Sequence, residues 1–425
     1  MIRHKKKSLK SLTFYLINLI LSISIIMYST ISSNSSEELP YIGFAIIILS
    51  ITLLIRARHS GRFLILIAVI VYINISIGVG DCIYKGIFTS GWQILRGTHY
   101  DVINAKSVLL TITVLNLMFR DIDIKKIEES SKELKFKPIN NIYCFYFSIA
   151  FICIALVFGY SRVNTSGGYV SNGSPLYEYS TLIFIFGLYF SGMKKNRITI
   201  LLILLITYIV QAFFYGDRSS SFMLILMVVS LFIRKVNLVK MIAYSIGGIT
   251  IANVIAIYRK EFGLSIMDIY ELIIERGVTF FLSDTVGFSY YAGETIIATK
   301  ELVGNKIPFI VDFIKYIFIG GNIDKALLGN YSKQFYFNQG GGMYHSYFYF
   351  WGGFIGVIIG SIVLSIIIKR VFHSKSQKNI MLGSYIIGMS LRWYLYGTTT
   401  FYRSTLFIFI IVYYTYYLIF KITKK

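Results

Sequence analysis

Apolar residues run in long blocks separated by short polar or basic connections along most of the chain. Blocks fall at 12–31, 41–55, 63–80, 102–119, 141–160, 176–192, 198–215, 219–233, 241–258, 343–368, 380–396 and 404–420. About 20 apolar residues cross the hydrocarbon core, so the pattern predicts twelve membrane spans. The fold predicted is all-α, a polytopic transmembrane helix bundle. Residues 259–342 break the rhythm, being far more polar than the rest. They divide the chain into spans one to nine (1–258), one large external loop (259–342) and spans ten to twelve (343–425). Within the loop, 265–276 has amphipathic spacing, and Ser265 and Asp268 near its start favour an N-cap. Residues 307–319 mix apolar positions with Asp312 and Lys315, the pattern of a helix lying in the membrane interface. The loop is therefore expected to be a structured cap with short helices, close to the bilayer.

Composition agrees with that class. The chain is 56% hydrophobic and 15% charged, with a mean hydropathy of +0.66, which excludes a soluble globular domain. The first block is too long for a signal-peptide core and lacks a small-residue cleavage site. The basic segment 3–10 assigns the N-terminus to the cytoplasm. Alternation then places Arg56, Arg58 and Arg62, the 120–140 connection, Lys194 to Arg197, Arg234 to Lys240, Lys369 to Lys378 and the C-terminus on the same side. That side holds 27 of the 42 Lys and Arg but 5 of the 20 Asp and Glu, a balance of +22 equal to the net charge of the chain. The basic excess is thus a topology signal, and no nucleic-acid partner is needed to explain it.

Cys82, Cys144 and Cys153 form neither a metal-ligand spacing nor a disulfide framework. No Asp-x-Asp motif stands in an external segment. Neither a metal nor another cofactor is expected. No internal repeat is evident, which disfavours transporters built from inverted halves.

Arginines on the outer side resist the positive-inside bias and are costly near a span unless paired or hydrated. Arg218 lies at the tip between spans seven and eight, and Ser219, Ser220 and Ser221 follow it at a helix start suited to an anion. Arg392 lies near the outer end of span eleven, Arg403 begins span twelve, and Arg259 and Arg276 lie in the long loop. Such guanidinium groups suit phosphate or diphosphate. Each has a plainer reading: Asp217 beside Arg218, Glu271, Glu275 or Asp284 beside Arg276, and interfacial anchoring for Arg392 and Arg403. His345 follows Gly340, Gly341 and Gly342 where the loop meets a span, and imidazole is suited to proton transfer near neutral pH. Its plainer reading is an interfacial histidine bonded among aromatics. Tyr290, Tyr291, Tyr336, Tyr344 and Tyr347 are candidates for stacking on sugar rings. Glu294 and Asp284 are second candidates for a base.

The segment HSYFYFWGGFIGVIIG, at 345–360, resembles the His-Asn/Ser segment of the O-antigen ligase and oligosaccharide repeat-unit polymerase (Wzy-type) superfamily. The segment GDRSSSFMLILMVV, at 216–229, is similar to that superfamily's Gly-x-Arg span start, and the order of span, loop and His segment matches. The resemblance implies a GT-C-like bundle in the bacterial cytoplasmic membrane with its site on the external face. It implies a polymerase that joins undecaprenyl-diphosphate-linked oligosaccharide repeat units into a surface polysaccharide such as O-antigen, capsule or exopolysaccharide. Arg218, and less directly Arg276, inherit the role of holding the lipid diphosphate, and His345 that of acting on the acceptor sugar. Arg403, Arg392, Arg259, Tyr344 and Tyr347 are expected to bind substrate. Expected partners are the lipid-linked glycan donor and acceptor, membrane lipids, a flippase and a chain-length regulator. Ser346 stands where ligases commonly have Asn, so ligase and polymerase remain alternatives at this position, and a lipid-linked oligosaccharide flippase is the alternative outside the class.

Overall fold

A bilayer core offers no water to backbone N–H and C=O groups, so apolar blocks satisfy them internally as helices. A computed structural model describes residues 2–89, 91–159, 174–214, 218–234, 236–260, 266–321 and 323–424, and the side chains of these except 2–15, 175, 213–214, 218, 252, 255–260, 266 and 269. The first half runs through α1 (Ile2–Ile31), α2 (Leu39–Ala57), α3 (Arg62–Ser76), α4 (His99–Met118), α5 (Asp121–Lys132), α6 (Ile142–Phe158), α7 (Pro175–Phe190), α8 (Lys195–Phe214) and α9 (Arg218–Phe232). The second runs through α10 (Leu238–Lys260), α11 (Ile266–Arg276), α12 (Asp284–Leu302), α13 (Ile307–Phe318), α14 (Leu328–Tyr331), α15 (Tyr344–His373), α16 (Gln377–Gly388), α17 (Ser390–Leu395) and α18 (Ile408–Thr423). No strand occurs among the described residues. Six helices there are long and apolar enough to cross a membrane: Ser36–Ala57, Arg62–Ile83, His99–Met118, Lys195–Ala212, Tyr344–His373 and Thr400–Thr423. Leu16–Ile31, Ile142–Phe158, Leu176–Phe190, Ser219–Phe232 and Leu238–Ile251 are shorter apolar helices.

Contacts between basic connections define one end of the bundle. Arg56 meets Asp121 at 3.4 Å and donates to Asn116 O. Arg62, buried, donates to Ile380 O at 2.7 Å. Lys369 meets Asp123 at 2.9 Å, and Arg197 donates to Asn140 Oδ1 at 2.9 Å. The 120–140 connection, read from sequence as a basic loop, contains the amphipathic α5, whose Ile124 and Ile127 are buried. At the other end Lys106 of α4 is fully buried. Its ammonium donates to Ser32 Oγ at 2.7 Å and Asn34 Oδ1 at 3.1 Å and meets Glu38 at 3.3 Å, tying the α1–α2 turn to the core.

Two elements depart from the spacing of the apolar blocks. The first is α12, which lies in the polar segment 259–342 yet is buried from Val286 to Thr299 at nearly every position. It packs on α4 and α15. The second is α15. The apolar block 343–368 predicts one uninterrupted span, but the helix breaks at Gly352 (φ −139°, ψ 16°) and Gly353 (φ 61°, ψ −150°). Residues 344–351 fold back on the turns after the break. Tyr344 Oη donates to Gly360 O at 3.1 Å, whereas sixteen residues of straight helix span about 24 Å. A Cβ on Gly360 would lie 2.4 Å from the Phe348 ring. The left-handed φ at Gly353 is the physical reason for the correction, because only glycine adopts it without strain.

Candidate functional site

The fold-back carries His345 into the core. Gly340, Gly341 and Gly342, with φ of 87°, 95° and 100°, lead the chain inward. His345 is 1% exposed, and its Nε2 lies 2.9 Å from Asn104 Oδ1 of α4. Ser346 Oγ donates to the same oxygen at 3.3 Å. Asn104 Nδ2 donates to Tyr290 O at 2.9 Å. A carbonyl only accepts, so this contact fixes the amide and turns its oxygen to the histidine. Nε2 therefore carries the hydrogen, and Nδ1 carries the lone pair. Nδ1 is buried and has no hydrogen-bond partner. Buried polar atoms are rarely left so, and an orphaned nitrogen marks a place for a further donor. Gly293 of α12 closes the opposite side. A Cβ there would lie 2.6 Å from Ser346 Oγ and 3.0 Å from Asn104 Oδ1.

A buried charge cluster adjoins this triad through Tyr290. Arg96, from the α3–α4 connection, meets Asp81 at 2.8 Å and donates to Gly287 O at 3.0 Å. It stands 2.9 Å from Glu294 Oε1 of α12. That pair is close in distance but not aligned as a hydrogen bond, since both Glu294 oxygens remain without such a partner. The Arg96 guanidinium also lies over the Tyr290 ring, 5.0 Å from its centroid. Tyr290 Oη donates to Asp101 Oδ1 at 2.9 Å, and Gly97 N donates to Asp101 Oδ2 at 2.9 Å. Asp81 sits in a π-helical stretch, Ile77–Ile83, which continues α3; such stretches recur at functional sites. One cation thus faces three carboxylates away from water. Burial opposes the Arg96 charge, but the Asp81 and Asp101 carboxylates facing it help outweigh that cost and hold the guanidinium firmly protonated. Burial also outweighs Arg96 at Glu294 and pushes that carboxyl well above the ordinary carboxylate range.

The sequence-predicted arginines fall into separate places. Arg392 Nη1 meets Glu178 at 2.8 Å, and its Nη2 donates to Ser219 Oγ at 3.2 Å and Ser220 Oγ at 3.0 Å. It therefore sits at the start of α9. Arg218 is the first residue of α9, but its side chain lies outside the described ones, as does that of Arg259. Arg403 donates to Tyr316 O at 2.7 Å and Ile317 O at 3.0 Å, capping the C-terminus of α13, where a cation also complements the helix dipole. Arg276 is exposed at the end of α11. Tyr344 and Tyr347 are buried, Tyr344 bonded to Gly360 O and Tyr347 packed where a Cβ on Gly397 would lie 2.4 Å from its ring. Trp393, next to Arg392, packs edge-on against Tyr344, next to His345.

Asp81, Arg96, Asp101 and Asn104 were not singled out from sequence. The signal available was that two carboxylates and an arginine stand at the ends of two apolar blocks, where charge is expensive. Among the described residues no group of three or more His, Cys, Asp or Glu is arranged to hold a metal ion. The chain matches no protein-family model, no curated protein and no solved structure.

Proposed function

We propose that the chain is a membrane glycosyltransferase that polymerises undecaprenyl-diphosphate-linked oligosaccharide repeat units at the outer face of a bacterial cytoplasmic membrane. The observation that carries the reading is the buried His345, with Nε2–H held by Asn104 and a free lone pair on Nδ1. The reading completes the apolar helices and the α16–α17 segment into twelve spans of a GT-C-like bundle, with the basic end and both termini cytoplasmic. An acceptor sugar hydroxyl gives its proton to Nδ1 as its oxygen attacks the donor's anomeric carbon. The carbon–oxygen bond to the diphosphate breaks, and the electron pair leaves on the lipid diphosphate. A positioned base of this kind contributes roughly a hundred- to ten-thousand-fold. Arg218, with Arg392 beside it at the start of α9 and Arg276 further out, stabilises the departing negative charge without a metal. Arg403 is occupied with α13 and acts by fixing that helix. A ligase that moves finished glycan to another acceptor shares this chemistry.

A second reading has its own observation. Buried titratable groups inside a membrane bundle mark ion or proton pathways in transporters, and Arg96 with its three carboxylates is such a group. A flippase is therefore the competing function. The glycan of a deletion strain carrying His345→Ala separates the two. The polymerase reading expects single repeat units displayed at the surface and no long polymer, with the variant inserted at wild-type level. Normal chain length rejects the histidine's role, and repeat units trapped on the cytoplasmic leaflet indicate the flippase.

A further inference from the structure

At the basic end of the bundle an open cavity of about 860 Å³ lies between the α2–α3 turn, α5 and the start of α10. Arg58 and His59 line it from the turn, Glu128 and Lys132 from α5, Asn237 from just before α10 and Lys240 from its first turn. The charges do not balance. Glu128 pairs with Lys132 within α5. Arg58 donates to His59 Nε2 at 3.0 Å, which keeps that imidazole nitrogen as an acceptor. Among the described residues, Arg58 and Lys240 have no acidic partner at ion-pair distance.

The helix end adds to the imbalance. The first N–H groups of a helix have no partner within it and carry partial positive charge. Asn237 Oδ1 accepts from Val239 N at 2.9 Å and satisfies one of them. The first turn of α10 holds no acidic residue and instead carries Lys240. Two unpaired cations and the positive end of a 23-residue helix therefore converge on one open cavity. An anion entering it would meet both cations and the helix end, and the volume is that of a small-ligand site.

We propose that this cavity binds a phosphate group, held by the Arg58 guanidinium, the Lys240 ammonium and the N–H groups at the start of α10. Guanidinium and helix N–H groups both match tetrahedral oxyanions. The α2–α3 turn joins two candidate spans, Ser36–Ala57 and Arg62–Ile83. The cavity thus lies level with their ends, at the depth of phospholipid headgroups. The same chemistry also fits a soluble phosphate. The inference is independent of the function proposed above.

The test uses the full chain purified in detergent. Retention of phosphatidylglycerol and phosphatidylcholine is measured by native mass spectrometry, and protection by inorganic phosphate by the thermal midpoint. We expect phosphatidylglycerol to be retained in preference to phosphatidylcholine. Arg58→Gln and Lys240→Gln should each weaken that retention about five-fold, the effect of one basic residue near an anionic surface. Lys421→Gln, exposed at the same end but outside the cavity, should leave it unchanged. If inorganic phosphate protects with the same dependence on Arg58 and Lys240 and the lipid does not, the phosphate comes from solution. Wild-type retention in both variants overturns the site, and so does a wild-type protein that favours neither probe.

Discussion

At the residue scale the proposed chemistry turns on which nitrogen of His345 holds the proton. Asn104 decides it, because its amide is locked by Tyr290 O and presents only oxygen to the ring. Replacing Asn104 with Leu removes that lock and leaves the buried Nε2–H without its acceptor. A small misplacement of a catalytic group costs roughly a hundredfold in rate, so on the proposed function Asn104→Leu should lower polymer formation by about that factor. Asn104→Asp retains an acceptor for Nε2–H and should keep more activity than the Leu variant. Equal loss in both variants, measured on purified protein with lipid-linked repeats, removes Asn104 from any positioning role. His345 was legible in the sequence as a rare histidine among glycines and aromatics. Asn104 was not, since a lone amide in an apolar block looks like packing until its partners, distant in sequence, are brought to it. The arginines outside the basic connections were legible as charges in costly places. Their partners were not, and Arg403 turns out to cap a helix.

At the scale of elements, the order of apolar blocks foretold most helices, and the amphipathic stretches at 265–276 and 307–319 coincide closely with α11 and α13. What pattern alone missed was α12 and the fold-back of α15. Asp284, Glu294, Lys300 and Glu301 make α12 read as loop, because the one cation that faces the buried Glu294, Arg96, comes from the α3–α4 connection, far away in sequence. The fold-back depends on backbone angles at two adjacent glycines that differ sharply. Gly353 has φ 61°, and a Cβ there would lie 3.3 Å from Lys300 Nζ. Gly352 has φ −139°, open to any residue, and a Cβ there meets nothing within 4 Å. Gly353→Ala should therefore destabilise the protein by about 1–2 kcal/mol. Gly352→Ala should stay within about 0.5 kcal/mol of wild type. Thermal unfolding of the two variants in the same detergent tests this, and equal midpoints contradict a break imposed by Gly353.

At the scale of the whole molecule, charge is sorted by end. Basic connections meet one another at one end, as the alternation of apolar blocks anticipates, while the opposite side of the fold buries Arg96 among three carboxylates. That cluster joins the end of α3, the start of α4 and the middle of α12, so it holds together segments far apart in sequence. Removing its one cation leaves Asp81 and Asp101 buried and uncompensated, and Arg96→Ala should cost about 3–5 kcal/mol. The pH dependence follows from Glu294. Its carboxyl titrates in the folded chain above its unfolded value because burial outweighs Arg96. The folded state thus keeps a proton that the unfolded chain has already released. The stabilisation from that proton is complete below the ordinary glutamate range and is lost as pH rises through the folded value. Wild-type stability should accordingly fall with rising pH across that window. Glu294→Gln keeps a neutral side chain of similar size and has no proton to lose, so its midpoint should change less over the same range and exceed wild type at the alkaline end. A variant whose midpoint falls as steeply as wild type would mean that Glu294 is ionised in the fold, and that Arg96 neutralises it together with Asp81.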